Sequence, residues 1–282
     1  MRNPGRRSDY VVIGGVAAGP KAAATLARRL PGTSITLFHR EKILSYATCG
    51  FPFFASGELS AFEQLLQTGY GVTRDAVFFE QTKGVSAVPF SEVLRIDRDK
   101  KSVTVKELES GEVHEHGYDR LVLATGSNPN KPLIPIPECD SVRSFTRPGD
   151  VIDFRQKAER GEVADVVIIG GGFVGIELCE AVKEMWGINV KLFEKQPQLL
   201  PYLLDPEMAA ILQRALVANG IEVTVAAEVE KITLGDQGKP VVHLQGQRPI
   251  DTDYVFLCMG VQPEVTLARE CGLDIGKTGA IL

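Results

Sequence analysis

Short apolar runs, each closed by a glycine or a polar turn and followed by residues at helical spacing, set the rhythm of this chain. Residues 10–13, Ile35–Phe38, 166–169 and Asn189–Phe193 read as strands, and their nearly unbroken apolar character suits parallel sheets covered on both faces. A helix is predicted from about 20 to 30, with Pro20 tolerated in its first turn and Pro31-Gly32 ending it. Another opens at Asp205-Pro206-Glu207 and closes at Asn219-Gly220. Residues 59–79 read as mostly helical, broken at Gly69-Tyr70-Gly71. Shorter strands are expected near 85–88, 103–105, 221–225 and 254–258, and the strand over 118–123 runs into Ala124-Thr125-Gly126. Residues 100–116 read as a charged hairpin with His114 and His116 in solvent. Prolines at 129, 132, 135, 137 and 148 stiffen a crossing between domains.

Two glycine-rich turns stand at equivalent places in this pattern, each after an apolar strand and before a helix. They are Gly14-Gly15-Val16-Ala17-Ala18-Gly19 and Gly170-Gly171-Gly172-Phe173-Val174-Gly175. Glycines there let the backbone turn tightly and approach a pyrophosphate, whose charge meets the free N–H groups and positive end of the following helix. The second turn has the full Gly-x-Gly-x-x-Gly spacing, and its next strand ends at Glu194. A carboxylate there accepts ribose hydroxyl hydrogens and repels a 2′-phosphate, so NADH is expected in preference to NADPH. The first turn has Val16 at the middle glycine position, and its next strand ends in His39 and Arg40 instead of an acid; Glu41 comes two residues late for a simple exchange. The fold class that follows is α/β, with two Rossmann-like nucleotide-binding domains: 1–148 with a cysteine loop, 149–265, and 266–282 returning toward the first domain.

Composition narrows the function classes. The 282 residues are 44% hydrophobic and 24% charged, enough apolar content for two cores, and a net charge of -5 leaves no basic footprint for nucleic acid or anionic lipid. No apolar run approaches the ~20 residues of a membrane span. The basic start over 1–7 leads directly into a strand, and Arg6-Arg7 reads as a solvated tail. Five cysteines without framework spacing point to free thiols in a reducing cytoplasm, and no cluster has metal-ligand spacing.

One of those cysteines lies in Ser45-Tyr46-Ala47-Thr48-Cys49-Gly50. Together with the two turns, Ala124-Thr125-Gly126, Glu194 and Cys258-Met259-Gly260-Val261-Gln262-Pro263, it makes the whole chain resemble the pyridine nucleotide-disulfide oxidoreductases. Within them it is similar to the single-cysteine branch of coenzyme A-disulfide reductases, NADH oxidases and peroxidases, and persulfide or polysulfide reductases. The resemblance implies a glutathione reductase-like pair of domains, with FAD against Gly14, Val16, Ala17, Gly19, His39, Arg40, Ala124, Thr125 and Gly126. It implies NADH at Gly170, Gly172, Phe173, Val174, Gly175 and Glu194, with Phe173 as an aromatic gate and Glu177 bordering the nicotinamide. Cys49 would be the redox thiol. The dithiol members carry a second cysteine five positions on, where this chain has Phe54, so the natural intermediate is a mixed disulfide, a persulfide or a sulfenic acid.

The same resemblance gives coenzyme A contacts to Thr25, Arg28 and Ser45, with Thr48 standing where the branch has asparagine. Ala17 occupies the place of a histidine kept by the oxidases and peroxidases, which favours reduction of a small disulfide, persulfide or polysulfide. Alternatives are an electron-transfer subunit of a larger complex, an NADH oxidase, or a nucleotide-binding redox sensor. Family members continue beyond a segment like 276–282 into a second flavin-binding stretch and a C-terminal interface domain that builds a homodimer. Neither is present in this sequence, so either a fragment or a short form completed by a partner chain is expected. FAD is expected to bind more weakly than in full-length relatives, because His39 replaces the acid and the later stretch is missing.

Overall fold

A computed structural model describes residues 7–282; the expectation for 1–6 lies outside them. Arg7 opens the first strand and pairs with Asp119. In chain order the elements are β1 (Arg7–Ile13), α1 (Ala18–Arg29), β2 (Ile35–Phe38), a 3-10 turn (Thr48–Gly50) running into α2 (Phe51–Ser56), a second 3-10 turn (Phe62–Leu66) and α3 (Ala76–Lys83). Then come β3 (Ser86–Val88), β4 (Ser91–Asp97), β5 (Ser102–Glu107), β6 (Val113–Leu123), β7 (Ser127–Pro129), β8 (Val142–Ser144) and α4 (Pro148–Glu159). They are followed by β9 (Asp165–Ile169), α5 (Phe173–Trp186), β10 (Asn189–Phe193), α6 (Pro206–Ala218) and β11 (Glu222–Thr224). The chain closes with β12 (Val229–Leu234), β13 (Pro240–Leu244), β14 (Ile250–Asp251), β15 (Tyr254–Leu257), β16 (Val261–Pro263) and α7 (Thr266–Glu270).

The chain divides into two compact units. Among the described residues, one holds 7–47, 63–128 and 262–282; the other holds Thr48–Phe62 and Pro129–Val261. Two segments that the sequence assigned to the first domain therefore pack with the second unit. Residues 129–148 do so because β8 hydrogen-bonds in parallel to β15. The cysteine segment does so because α2 is tied to α4 and α5 by side-chain contacts described below.

The first unit is built on a six-stranded sheet in the order β3-β2-β1-β6-β5-β4. Its β3-β2-β1-β6 part is parallel, and β6-β5-β4 is an antiparallel meander. Strands β1 and β2 bury apolar side chains on both faces: Val12, Leu37 and Ile35 pack with Ala23 of α1 and Phe79 of α3 on one side, and Val11, Ile13 and Phe38 with Val103, Val105 and Tyr118 on the other. The second unit repeats the plan in a fully parallel sheet, β11-β10-β9-β15-β8. One core of this unit joins Val167, Ile169 and Val255 to Ile232 and Val242 of the three-stranded sheet β12-β13-β14. Another sets Phe154 edge-to-face with Tyr254 and Phe256 at centroid distances of 5.4 and 5.0 Å. The strand orders β3-β2-β1-β6 and β11-β10-β9-β15 match, so the duplication is architectural and both units are Rossmann-like.

Three sequence expectations change. Residues 59–79 are not mostly helical: they hold one 3-10 turn and an isolated bridge between Gln67 and Thr73, and α3 begins only at Ala76, where Asp75 caps it. His116 is not solvated but 4% exposed, its Nε2 2.9 Å from Ser8 Oγ, which in turn meets Thr36 Oγ1 at 2.7 Å. The cause is strand alternation, which puts His116 on the buried face of β6 with Tyr118. The cysteine segment is not a plain loop but a 3-10 turn feeding a short helix. Among the described residues, no helix is long and apolar enough to cross a membrane.

Candidate functional site

The second glycine turn follows β9 and opens α5. Gly170 has φ of +113°, and a Cβ there would fall 2.3 Å from the Cys258 carbonyl oxygen; a Cβ on Gly175 would fall 2.0 Å from the Gly170 oxygen. These two glycines are demanded by the protein's own packing. Gly172 is different, for a Cβ there would meet nothing within 4 Å. The turn therefore keeps open space at its middle glycine, and α5 presents its first N–H groups there with no side-chain cap and no acid in its first turn. Helix α6, by contrast, is capped by Asp205, which accepts the Met208 N–H at 2.9 Å. Such a cradle fits a pyrophosphate. Beside it, Glu194 is 9% exposed, and its carboxylate accepts the Gly171 N–H at 2.6 Å and the Gln196 N–H at 2.8 Å. Phe173 is 59% exposed, and Val174 and Glu177 are exposed with it on the first turns of α5, so the ring is not a helix-to-sheet packing contact.

The first turn is built on the same hydrogen bonds. Gly14 N–H donates to the Phe38 carbonyl at 2.9 Å, as Gly170 does to Phe193 at 2.8 Å; Ala124 donates to Ile13, as Cys258 does to Ile169, both at 2.8 Å. Ser45, with φ of +51°, donates to the Gly15 carbonyl, and Leu200, with φ of +46°, donates to that of Gly171. A Cβ on Gly14 would fall 2.0 Å from the Ala124 oxygen and one on Gly19 1.8 Å from the Gly14 oxygen, so these glycines too are fixed by packing. Helix α1 is likewise without a side-chain cap or a first-turn acid, and Val16 and the exposed Ala17 line its start. Thr125 and Gly126 continue from Ala124, the Thr125 hydroxyl donating to the Glu264 carbonyl at 2.6 Å.

At the acid position of this turn His39 is 7% exposed, and its Nδ1 accepts the Gly15 N–H at 3.1 Å. It thus makes the same bond to the turn as Glu194. Burial pushes its pKa down, against the pull of the Glu41 carboxylate. Glu41 stands 3.8 Å from His39 Nε2 and accepts the Tyr46 hydroxyl at 2.8 Å, so the turn that follows β2 brings this carboxylate, two positions further along the chain, back beside His39.

Cys49 lies in the second unit, exposed in the 3-10 turn that enters α2. Proline in the first turn and a left-handed Gly57 at the end suit so short a helix, but its six residues are held chiefly from outside. Arg155 of α4 donates to the Phe54 carbonyl at 2.7 Å, its guanidinium stacked between the Phe54 and Trp186 rings, while Trp186 of α5 donates to the Ala55 carbonyl at 2.8 Å. Phe54 itself is buried against Phe62. Burial pushes the Cys258 thiol up to about 12 and the Cys179 thiol higher, which keeps both protonated. Sequence reasoning passed over Arg155 and Trp186, since neither lies in a motif.

Of the remaining expected residues, Ser45 is buried, Thr25 is half-buried on α1, and Arg28, Arg40 and Thr48 are exposed. Gly14, Val16, Ala17, Gly19, Thr25, Arg28, His39, Arg40, Ser45 and 124–126 share the first unit. Thr48, Cys49, Gly170, Gly172, Phe173, Val174, Gly175, Glu177 and Glu194 share the second.

Residues 8–282 match the family described as Pyridine nucleotide-disulphide oxidoreductase. The chain is 30% identical to an NADH oxidase of Methanocaldococcus jannaschii over 95% of its own length and 57% of the relative's. It is 31% identical to a CoA-dependent NAD(P)H sulfur oxidoreductase of Pyrococcus abyssi, over 98% and 58%. It also superposes on an NAD-dependent persulfide reductase from A. fulgidus with a TM-score of 0.91 and 34% identity, covering 96% of this chain and 49% of that one. The chain thus spans about half the length of the proteins it matches. A match over nearly every residue, on a fold with two glycine turns of one design, places this chain in the pyridine nucleotide-disulphide oxidoreductase family.

Proposed function

We propose that the chain binds FAD at the first glycine turn and NADH at the second, and that it uses NADH to reduce a low-molecular-weight disulfide, persulfide or polysulfide at Cys49. The observation that carries this is the repeated turn, with open space kept at Gly172, in a chain whose one exposed cysteine among the described residues sits in the 3-10 turn entering a helix that Arg155 clamps within the second unit. Glu194 accepts the adenosine ribose hydroxyls and disfavours a 2′-phosphate. The N–H groups opening α5 and α1 would hold the two pyrophosphates, and Phe173 and Glu177 would border the nicotinamide.

At sulfur, the Cys49 thiolate attacks one atom of a disulfide, forms a mixed disulfide and expels the other half as a thiolate that takes up a proton. Two electrons and a proton then release the second thiol and restore the Cys49 thiolate. Nicotinamide and flavin, when bound at the two turns, would supply those electrons. Phe54 offers no resolving thiol, so the mixed disulfide persists until those electrons arrive. Thr25, Arg28, Ser45 and Thr48 are the proposed contacts for a coenzyme A-type thiol, Arg28 meeting phosphate and Thr48 flanking the reactive sulfur.

The purified protein should show flavin absorbance that bleaches on anaerobic addition of NADH; no flavin and no bleaching would refute the reading. A second reading, NADH oxidase, is favoured by the M. jannaschii relative and makes oxygen the acceptor. Ala17 supplies no proton donor in the first turn, so oxygen uptake should be slow beside sulfur reduction. The free cysteines suit a cytoplasmic setting, and a homodimer is the assembly that the family resemblance suggests.

A further inference from the structure

The two turns follow one plan, but one task falls to different residues in each. At the second, the Glu194 carboxylate holds the turn through the Gly171 N–H and keeps lone pairs for hydroxyl hydrogens. At the first, His39 holds the turn through Nδ1, which fixes its proton on Nε2. No lone pair of the ring is left to accept from a ribose. That Nε2 is buried and makes no well-formed hydrogen bond, the Ile43 backbone being only a weak partner, while the Glu41 carboxylate, 24% exposed, stands 3.8 Å from it with Tyr46 bonded to it. A shift of about 1 Å would bring the carboxylate into charge-assisted hydrogen-bond range of Nε2.

We propose that Glu41 supplies at the first turn the ribose-reading carboxylate that Glu194 supplies at the second, with His39 and Tyr46 as its positioning residues. This rests on the reading that the first turn holds FAD. One job of the single acid is left with His39, which ties down the turn; the other passes to Glu41. The replacement of the acid by His39 then does not by itself weaken FAD binding.

The test is titration of flavin-stripped full chain with FAD, and with FAD lacking the 2′-hydroxyl of its adenosine ribose, followed by flavin fluorescence. Wild type should prefer FAD, Glu41→Gln should bind FAD about tenfold more weakly, and that variant should no longer distinguish the two ligands. Tyr46→Phe should fall between. The double change His39→Glu with Glu41→Gln, which rebuilds the single-acid arrangement of the second turn, should recover both affinity and preference. If Glu41→Gln keeps wild-type affinity and preference, the proposal is wrong; if Glu41→Gln keeps the preference and His39→Ala removes it, the imidazole and not Glu41 reads the ribose. Failure of wild type to bind FAD would overturn the cofactor assignment and this proposal together, whereas unchanged binding by Glu41→Gln overturns only the proposal.

Discussion

Single glycines in the second turn answer to different masters. Gly175 must lack a side chain because a Cβ would collide with the Gly170 oxygen, whereas Gly172 faces open space with an ordinary φ of -82°. Gly172→Ala should therefore leave the melting temperature of the ligand-free protein unchanged or raised, yet weaken NADH binding at least tenfold. Gly175→Ala should lower stability with or without nucleotide; equal losses of stability in the two variants would show that neither position is reserved for a ligand. In the proposed reading Glu194 would have both duties at once. Glu194→Ser should cost about 1–3 kcal/mol of stability through the lost Gly171 bond and reduce the preference for NADH over NADPH, measured as flavin bleaching rates. Wild type that accepts both nucleotides equally would contradict the role given to that carboxylate. Such residues were legible in the sequence, because glycine spacing and an acid at a strand end are local signals. The orientation of His39 was not: its ring serves the turn through one nitrogen, a choice that depends on Gly15 lying 24 positions away.

Elements that rest on distant partners were the ones sequence patterns missed. Helix α2 has six residues, too few to show helical spacing, and it exists because Arg155 and Trp186 bind its last carbonyls. Strand β4 hides its alternation behind an irregularity between Val93 and Arg95. His116 could have been placed, since period-two counting from the apolar Tyr118 puts it inward. Arg155→Ala should cost about 2–4 kcal/mol, from an unpaired buried carbonyl and a lost stack on two rings. It should also speed hydrogen exchange of the amides over 51–56 before those of β9. Lysine is not expected to rescue it, lacking the flat guanidinium that fills the slot between Phe54 and Trp186. If exchange in α2 is unaffected, the clamp does not hold the cysteine helix.

For the whole molecule, two buried histidines tie stability to pH. His39 and His116 both have pKa values pushed below the ordinary 6.5 by burial. Above that value folded and unfolded chains alike carry them neutral. As pH falls below it the unfolded chain takes up protons that the folded one refuses, so stability is lost toward the lowered folded values, with a slope of up to about 1.4 kcal/mol per pH unit for each histidine. Urea midpoints at pH 7.5 and 5.5 check this; equal midpoints would mean that the buried rings are already compensated. On this scale the duplication of two Rossmann-like units was readable from the repeated strand and glycine order. The grouping of residues 48–62 and 129–148 with the second unit was not, because it is decided by β8 pairing and by the α2 contacts, neither of which leaves a local mark.

In the proposed reading Cys49 carries the sulfur chemistry while the glycine turns carry the nucleotides, and the most direct measurement times both half-reactions in Cys49→Ser. In a stopped-flow instrument under nitrogen, NADH should bleach the flavin of the variant at a rate close to wild type. Turnover of a coenzyme A disulfide or of polysulfide should fall to background, because the serine hydroxyl cannot form the mixed disulfide. Sulfur turnover at the wild-type rate in Cys49→Ser would contradict the claim outright.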